Sequence, residues 1–147
     1  MSPSEQNSAS WLRLLVLAAL LATALPVKAQ VVMVSAAAGP VQALSRSEAE
    51  QLYLGRRTTL DSGQAVTLLD LPNGEVRNAF YQQLTGKNPI QTRAYWSRQV
   101  FTGRALPPRE ARSIEEAREI LVAEPNTIGY LPAAEIDSRL RILLRLP

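Results

Sequence analysis

Two hydrophobic patterns alternate along this chain and predict interleaved strands and helices. Four segments are predicted to be strands, because they are apolar throughout or alternate with a period of two: 31–34, 65–69, 127–131 and 139–146. Four others have apolar positions three and four residues apart, as amphipathic helices do, and begin near residues 46, 75, 89 and 114. This order predicts an α/β fold with three layers and a mostly parallel sheet.

The last predicted strand differs from the others because its apolar residues alternate with arginines. Arg139, Arg141 and Arg145 are separated by leucine and isoleucine. One face of such a strand is exposed to solvent, so we expect the strand at an edge of the sheet.

Polar residues at the predicted helix starts have the spacing of caps. Ser45 with Glu48 and Ser113 with Glu116 match the capping box, in which the serine accepts from a helix amide and the glutamate reaches back. Asn88 precedes a proline, which favours the first position of a helix. These caps predict three helix starts independently of the apolar periodicity.

The helix after Asn88 carries two adjacent aromatic residues. Its helical spacing predicts a buried side made of Ile90, Ala94, Tyr95, Trp96 and Phe101. Alternatively, Tyr95 and Trp96 form a platform on which a ligand stacks.

The N-terminal segment has the pattern of a secretory signal. Its apolar run, from Leu14 to Leu25, is short of the ~20 residues that a membrane-spanning helix needs. Small residues before a cut after Ala29 suit signal peptidase. We therefore predict a signal peptide over residues 1–29 and a single periplasmic domain over residues 30–147. An uncleaved membrane anchor is the alternative.

Composition narrows the chemistry of the predicted domain. The chain has 16 basic and 13 acidic residues, and setting aside Arg13, Lys28 and Glu5 of the signal leaves a charge of +2. This small charge gives no basis for a nucleic-acid partner. The absence of cysteine and histidine removes thiol chemistry, the commonest metal ligand and the usual general base. We therefore predict a non-enzymatic protein without catalytic residues, metal or cofactor.

An irregular basic segment is predicted after the aromatic helix, from Thr102 to Arg112. It contains two consecutive prolines and three arginines, Arg104, Arg109 and Arg112. Because it is longer than a simple connection needs, it is a candidate contact loop for a partner protein. A solvated surface loop without a partner is the alternative.

Several short motifs, taken in order, resemble one lobe of the phosphate-type substrate-binding proteins of ABC transporters, which have the type II periplasmic binding protein fold. They are the strand at Val31, Leu44-Ser45 through Leu52-Tyr53-Leu54-Gly55, Arg77 to Phe80, Tyr95-Trp96, Phe101-Thr102-Gly103-Arg104, Pro107-Pro108-Arg109 and Ile128-Gly129-Tyr130-Leu131-Pro132. Their order and spacing carry the resemblance. Full-length members bind an oxyanion between two lobes, whereas this chain has room for one lobe.

In that family, a turn of the Gly-Ser-Gly-Thr type before a helix binds the anion, beside an arginine. The corresponding turn here runs from Asn73 to Arg77. The resemblance implies anion binding by Asn73, Gly74 and Arg77, since a helix start offers free N–H groups and a positive dipole end. Both hydroxyls are missing, and we expect Glu75 to occupy the place of the anion. Alternatively, Asn73 is a plain helix cap.

Ser35 is a further candidate for anion binding. It lies at the end of the first predicted strand. We expect it at the carboxyl edge of the sheet, where ligands bind in open α/β folds.

These observations lead to two functional hypotheses. The first is an exported solute-binding-like module that binds phosphate or a similar oxyanion for a transporter or sensor partner. Because water competes at a half-open site, tight binding would need a second chain, such as a homodimer or a docked membrane protein. The second is a periplasmic interaction protein that keeps the lobe fold, binds no ligand and docks on a membrane protein.

Overall fold

The computed structural model describes residues 30–147, and the predicted signal peptide, residues 1–29, lies outside the described residues. The strands are β1 (Val31–Ala36), β2 (Thr67–Asp70), β3 (Arg109–Glu110), β4 (Thr127–Pro132) and β5 (Leu140–Arg145). The helices are α1 (Arg46–Tyr53), α2 (Glu75–Thr85), α3 (Pro89–Phe101) and α4 (Ile114–Ala123), and a 3₁₀ turn follows β4 at Ala133–Glu135.

The strands form one sheet in the order β3-β2-β4-β1-β5. β2 pairs in parallel with β3 and β4, whereas β1 is antiparallel to both β4 and β5. The sheet is thus mixed, where the sequence predicted a mostly parallel one. An apolar run shows that β1 is buried on both faces, but it does not show in which direction the strand runs. The short β3 lies inside the segment predicted to be irregular, because its two residues pair with the end of β2.

The strand β5 lies at an edge of the sheet, as predicted. Its alternation is broken at Leu143, an extra residue in a β-bulge opposite β1. Leu143 is buried as a result. Arg141 is half-buried rather than fully exposed to solvent, because its guanidinium donates to backbone carbonyls in the loop after β1.

Helices cover both faces of the sheet, which confirms the predicted three layers. Neighbouring residues of a strand point to opposite faces. Gly129 in β4 faces α4, where a Cβ on this residue would lie 3.0 Å from the Leu121 side chain. Tyr130, the next residue, stacks on Phe80 of α2 with ring centres 3.6 Å apart. One face of the sheet is therefore covered by α4 and the other by α2.

Four aromatic rings form the centre of the layer between the sheet and helices α1 and α2: Tyr53, Phe80, Tyr81 and Tyr130. Each of these residues is at most 2% exposed. The Tyr53 hydroxyl donates to the carbonyl of Leu69 at 2.7 Å and so joins α1 to the end of β2. This cluster holds the start of α2 beside the carboxyl ends of β2 and β4.

One of the two predicted capping boxes is complete, and the other makes one of its two bonds. Ser45 and Glu48 make both bonds of the box at α1, which confirms that prediction. At α4, Ser113 accepts from the Glu116 amide, but the Glu116 carboxylate accepts from the Arg112 amide instead of returning to Ser113. Asn88 caps α3, as predicted, and also exchanges a second bond with Gln91.

The buried side of α3 differs from the prediction. Thr92 and Trp96 are 6% and 7% exposed, so burial of Trp96 is confirmed. The other residues predicted to be buried are exposed or half-buried: Ile90 (75%), Ala94, Tyr95 and Phe101 (93%). Helical spacing shows which residues share a side of a helix, but not which side contacts the rest of the protein.

Candidate functional site

A cavity of about 810 Å³ opens at the carboxyl end of β2. Its walls come from the first two turns of α2, one side of α3 and the chain around β3, including Pro107 and Pro108. Open α/β sheets place ligands at this edge. The cavity is therefore the candidate functional site.

Asp70, the last residue of β2, lies at the floor of the cavity and is only 3% exposed. Its carboxylate accepts from the Tyr81 hydroxyl at 2.8 Å, from the Leu71 amide at 2.9 Å and from the Tyr130 hydroxyl. Burial first, and then the charge of Asp70, raise the pKa of Tyr81 and Tyr130 well above the ordinary tyrosine value. Both tyrosines therefore stay protonated and keep donating to the carboxylate.

Arg77 in α2 is the cation that balances Asp70. Its guanidinium lies 3.3 Å from the Asp70 carboxylate and packs over the Tyr81 ring. Burial is the largest single influence on the pKa of Arg77 and acts to lower it, but Asp70 together with Tyr81, Tyr130 and Glu110 raises it overall. The side-chain carbonyl of Asn73 accepts from the same guanidinium. Asn73, Gly74 and Arg77 thus lie together, with the charge of Arg77 already partly neutralised.

The start of α2 is the one described start, among helices α1 to α4, without a side-chain cap. The N-cap residue is Gly74, in an extended conformation, and Asn73 bonds Arg77 instead, so the expectation of Asn73 as a plain cap is wrong. Glu75 is exposed and does not line the cavity, so its carboxylate does not fill the place expected for an anion. Side chains therefore leave the amides of this first turn to solvent or a ligand.

The opposite wall, formed by α3, contains polar groups that the sequence analysis did not identify. The hydroxyl of Thr92 and the indole nitrogen of Trp96 are buried without a hydrogen-bond partner, although both residues line the cavity. The Nε of Arg77, across the cavity, is also buried without a hydrogen-bond partner. Three groups that can donate are thus unpaired among the residues that line the cavity, and each unsatisfied buried polar group costs roughly 1–3 kcal/mol.

Arg93 and Ser97 complete this wall, one turn apart on α3. Arg93 is exposed and makes no ion pair with any residue between 30 and 147. The hydroxyls that are missing from the turn before α2 are thus supplied by Thr92 and Ser97 of another helix. A threonine on the buried side of an otherwise apolar helix stripe is the signal that could have identified this wall.

Gly55 explains how Trp96 reaches its position. The residue has φ +68°, which favours glycine, and a Cβ there would lie 2.8 Å from the Trp96 ring. The end of α1 therefore supports the six-membered ring of the indole from behind. The motif Leu52-Tyr53-Leu54-Gly55 acts in packing at this point.

Ser35 does not lie with the other candidate residues. Because β1 is antiparallel to β4, Ser35 lies near the start of β5 and the amino ends of β2 and β4. The expectation that it faces the carboxyl edge is wrong. Its hydroxyl is fully buried, away from the cavity.

The three arginines of the basic segment face different neighbours. Arg109 lies in β3 and pairs with Glu124 at 3.1 Å, whereas Arg112 lies 3.8 Å from Glu116. Arg104 lies on the other side of α3, beside Gly55. The fold thus separates these residues instead of forming one contact loop, and their contact with a partner stays a prediction.

Comparison with solved structures identifies the fold. A protein from Clostridium perfringens, described as a phosphate ABC transporter substrate-binding protein and solved with bound phosphate, matches with a TM-score of 0.60 and 13% identity. An ABC-type phosphate transport receptor from Vibrio cholerae matches with a TM-score of 0.58 and 14% identity. The chain has the fold of one lobe of such a protein.

The alignments cover 78% of this chain but only 44% and 45% of the two solved chains. This chain therefore spans less than half the length of the structures it matches. No protein-family model and no curated protein matches the sequence. At these identities the likeness concerns the fold, which agrees with the resemblance in the sequence motifs.

Two features are absent from residues 30–147. No helix in this range is long and apolar enough to cross a membrane. No three potential metal-ligating side chains cluster within it.

Proposed function

We propose that this protein is an exported, non-enzymatic solute-binding-like module that binds a small oxyanion, such as phosphate, in the cavity between α2 and α3. The observation that carries the proposal is the convergence of donors there. Asn73 and Arg77, on either side of the uncapped start of α2, line the same cavity as Arg93, Ser97 and Thr92, whose hydroxyl is unpaired. Oxyanions accept several hydrogen bonds at once and are favoured at helix starts.

The resemblance to phosphate transport proteins supports the choice of ligand class. The neighbour from Clostridium perfringens was solved with bound phosphate. Here the charge of Asp70 offsets that of Arg77, so Arg93 supplies the free positive charge of the site. Arg93 therefore contributes more to anion binding than Arg77, even though only Arg77 lies in the family-like turn.

The open side of the cavity determines the affinity expected of residues 30–147. One wall of the cavity is open, so water competes with each hydrogen bond and each contributes only about 1 kcal/mol. We expect weak binding by the isolated chain, with a dissociation constant well above the micromolar range. A transporter, a sensor protein or a second copy of the chain would close the site and raise the affinity.

Isothermal titration calorimetry with phosphate and sulfate on residues 30–147 tests this proposal. Arg93→Gln should weaken binding about tenfold or more, since bonds to charged groups contribute roughly 1.5–3 kcal/mol. Arg98→Gln, on the same helix but outside the cavity, is the matched control and should bind as the unmodified protein does. Equal weakening by both variants, or no binding heat for any protein, would contradict the proposal.

The exposed apolar residues of α3 favour a second function, that of an interaction protein that docks on a membrane protein. Phe101 is 93% exposed and Leu106 is 82% exposed. If the protein acts only by docking, pull-down of its partner should be lost in Phe101→Ser and retained in Arg93→Gln. Retention in both variants would count against this function.

A further inference from the structure

All the large apolar side chains that are exposed in residues 30–147 lie on α3 or shortly after it. They are Ile90, Val100, Phe101 and Leu106, with exposed fractions of 75%, 48%, 93% and 82%. Single exposed apolar residues are ordinary, but a concentration in one region marks an interaction site. Val100 and Phe101 also line the cavity, so this region adjoins the polar wall described above.

The arrangement on α3 is that of an amphipathic helix whose apolar side faces solvent. At about 100° per residue, Ile90, Ala94, Ser97 and Phe101 fall in one stripe. Arg93 and Arg98 fall on opposite sides of this stripe, and both are exposed. We call this stripe, its two flanking arginines and Leu106 the α3 surface.

Helix α3 carries positive charge only, from Arg93 and Arg98. Between residues 76 and 109 the chain contains no aspartate or glutamate, although the exposed Glu110 lines the adjoining cavity. Other arginines of this stretch are paired or lie elsewhere: Arg77 and Arg109 pair with Asp70 and Glu124, and Arg104 lies on the other side of α3. The two arginines of the α3 surface therefore favour an anionic partner, and the exposed apolar side chains require one that admits apolar groups.

We propose that the α3 surface docks on an anionic phospholipid bilayer, with α3 lying flat in the headgroup region. Ile90 and Phe101 are eleven residues apart, or about 16 Å along the helix, and both project from the same stripe. Separate projecting side chains enter a deformable bilayer without needing matched holes. Interfacial helices have this same order, with apolar residues in the centre and arginines on each side. The inference does not depend on anion binding in the cavity.

Co-sedimentation with vesicles tests the proposal, using residues 30–147, which contain all the elements and the core described above. Vesicles of phosphatidylcholine alone are compared with equal mixtures of phosphatidylcholine and phosphatidylglycerol. We expect binding to the mixed vesicles only, with weakening at high salt. Arg93→Gln with Arg98→Gln should weaken it about 25-fold, or roughly fivefold for each charge.

Two further variants separate this surface from the rest of the protein. Ile90→Ser with Leu106→Ser leaves the cavity lining intact and should weaken vesicle binding at least about tenfold, while phosphate titration stays unchanged. Arg145→Gln, at the end of β5 on the opposite edge of the sheet from β3, removes the same charge elsewhere. It should leave vesicle binding unchanged.

Several results would overturn the proposal. They are equal binding to both kinds of vesicle and an equal loss in Arg145→Gln. Absence of vesicle binding would also overturn it and would leave an acidic protein as the partner of this surface. A dimer in sedimentation that Ile90→Ser with Leu106→Ser dissolves, without vesicle binding, would assign the surface to a second copy.

Discussion

Helices α2 and α3 follow one another in the chain, but one buries its phenylalanine and the other exposes it. Each contains one of the two phenylalanines in the sequence. Phe80 of α2 is fully buried against Tyr130, whereas Phe101 of α3 is 93% exposed. Both residues lie in stripes with helical spacing. The comparison teaches that spacing identifies an amphipathic side, while the connections of the helix decide what covers it.

The connections differ in a way that explains the outcome. A turn of four residues, 71–74, joins β2 to α2 and holds this helix against the sheet. A short turn after Gly86 joins α3 to the end of α2, so α3 packs beside α2 and contacts the end of α1 through Trp96 and Gly55. The side of α3 that bears Ile90 and Phe101 therefore points away from the core.

The largest predicted effect comes from the two phenylalanines themselves. Phe80→Ala should lower the free energy of unfolding by about 4 kcal/mol, because it leaves a cavity beside Tyr130 and removes a stacked ring. Phe101→Ala should change it by less than about 0.5 kcal/mol. Urea denaturation followed by circular dichroism measures both. A loss of similar size in the two variants would mean that α3 is covered within the single chain.

Removal of the buried charge of Asp70, which pairs with Arg77 of α2, is the next test. Asp70→Asn removes the counter-charge of Arg77 and one acceptor of the tyrosine hydroxyls, and should cost about 3 kcal/mol. Asp61→Asn is the control, since its carboxylate is exposed and its ion pair with Arg57 contributes at most about 1 kcal/mol. Equal costs in thermal or urea unfolding would show that Asp70 is not the centre of a buried network.

A substitution in the α3 wall of the cavity should raise the free energy of unfolding instead of lowering it. Thr92→Val replaces an unpaired buried hydroxyl by a methyl group and should stabilise the protein by up to about 1 kcal/mol. The same variant should weaken phosphate binding, because a donor is lost from the cavity. A destabilised Thr92→Val protein would indicate that the hydroxyl is already satisfied within the fold.

The smallest effect concerns the cap of α1, at the first turn of that helix. Backbone N–H groups of Ser45 and Asp61 donate to Glu48 and lower the pKa of its carboxyl below 4.5. A lowered pKa in the folded state stabilises the protein above the usual value and loses this contribution as the pH falls below it. Glu48→Gln should therefore melt at a lower temperature at pH 7, by a margin that shrinks below about pH 4. A constant margin would contradict the assignment.

The elements could be predicted from the sequence because local chemistry determines them. Apolar runs located the strands around Val31 and Thr127, and Ser45, Asn88 and Ser113 cap their helices. The lobe-like α/β fold followed from the order of these elements. The direction of β1 could not be predicted, because its residues are buried on both faces and would read the same in either direction.

The candidate site was only half predictable, for a physical reason. Asn73, Gly74 and Arg77 are adjacent in sequence, so one motif identifies them. Thr92 and Arg93 come from another helix and enter the same space only through tertiary packing. Asp70 could not be identified from the sequence, because its burial and its tyrosine partners are properties of the folded chain.

The most direct test of ligand binding between α2 and α3 uses the fluorescence of Trp96, the one tryptophan of residues 30–147. Titration with phosphate should change its emission in a saturable manner, and chloride at equal ionic strength should not. In Arg93→Gln the same change should need about tenfold more phosphate. Binding heat without any response of Trp96, or no saturable response at all, would contradict a site in this cavity.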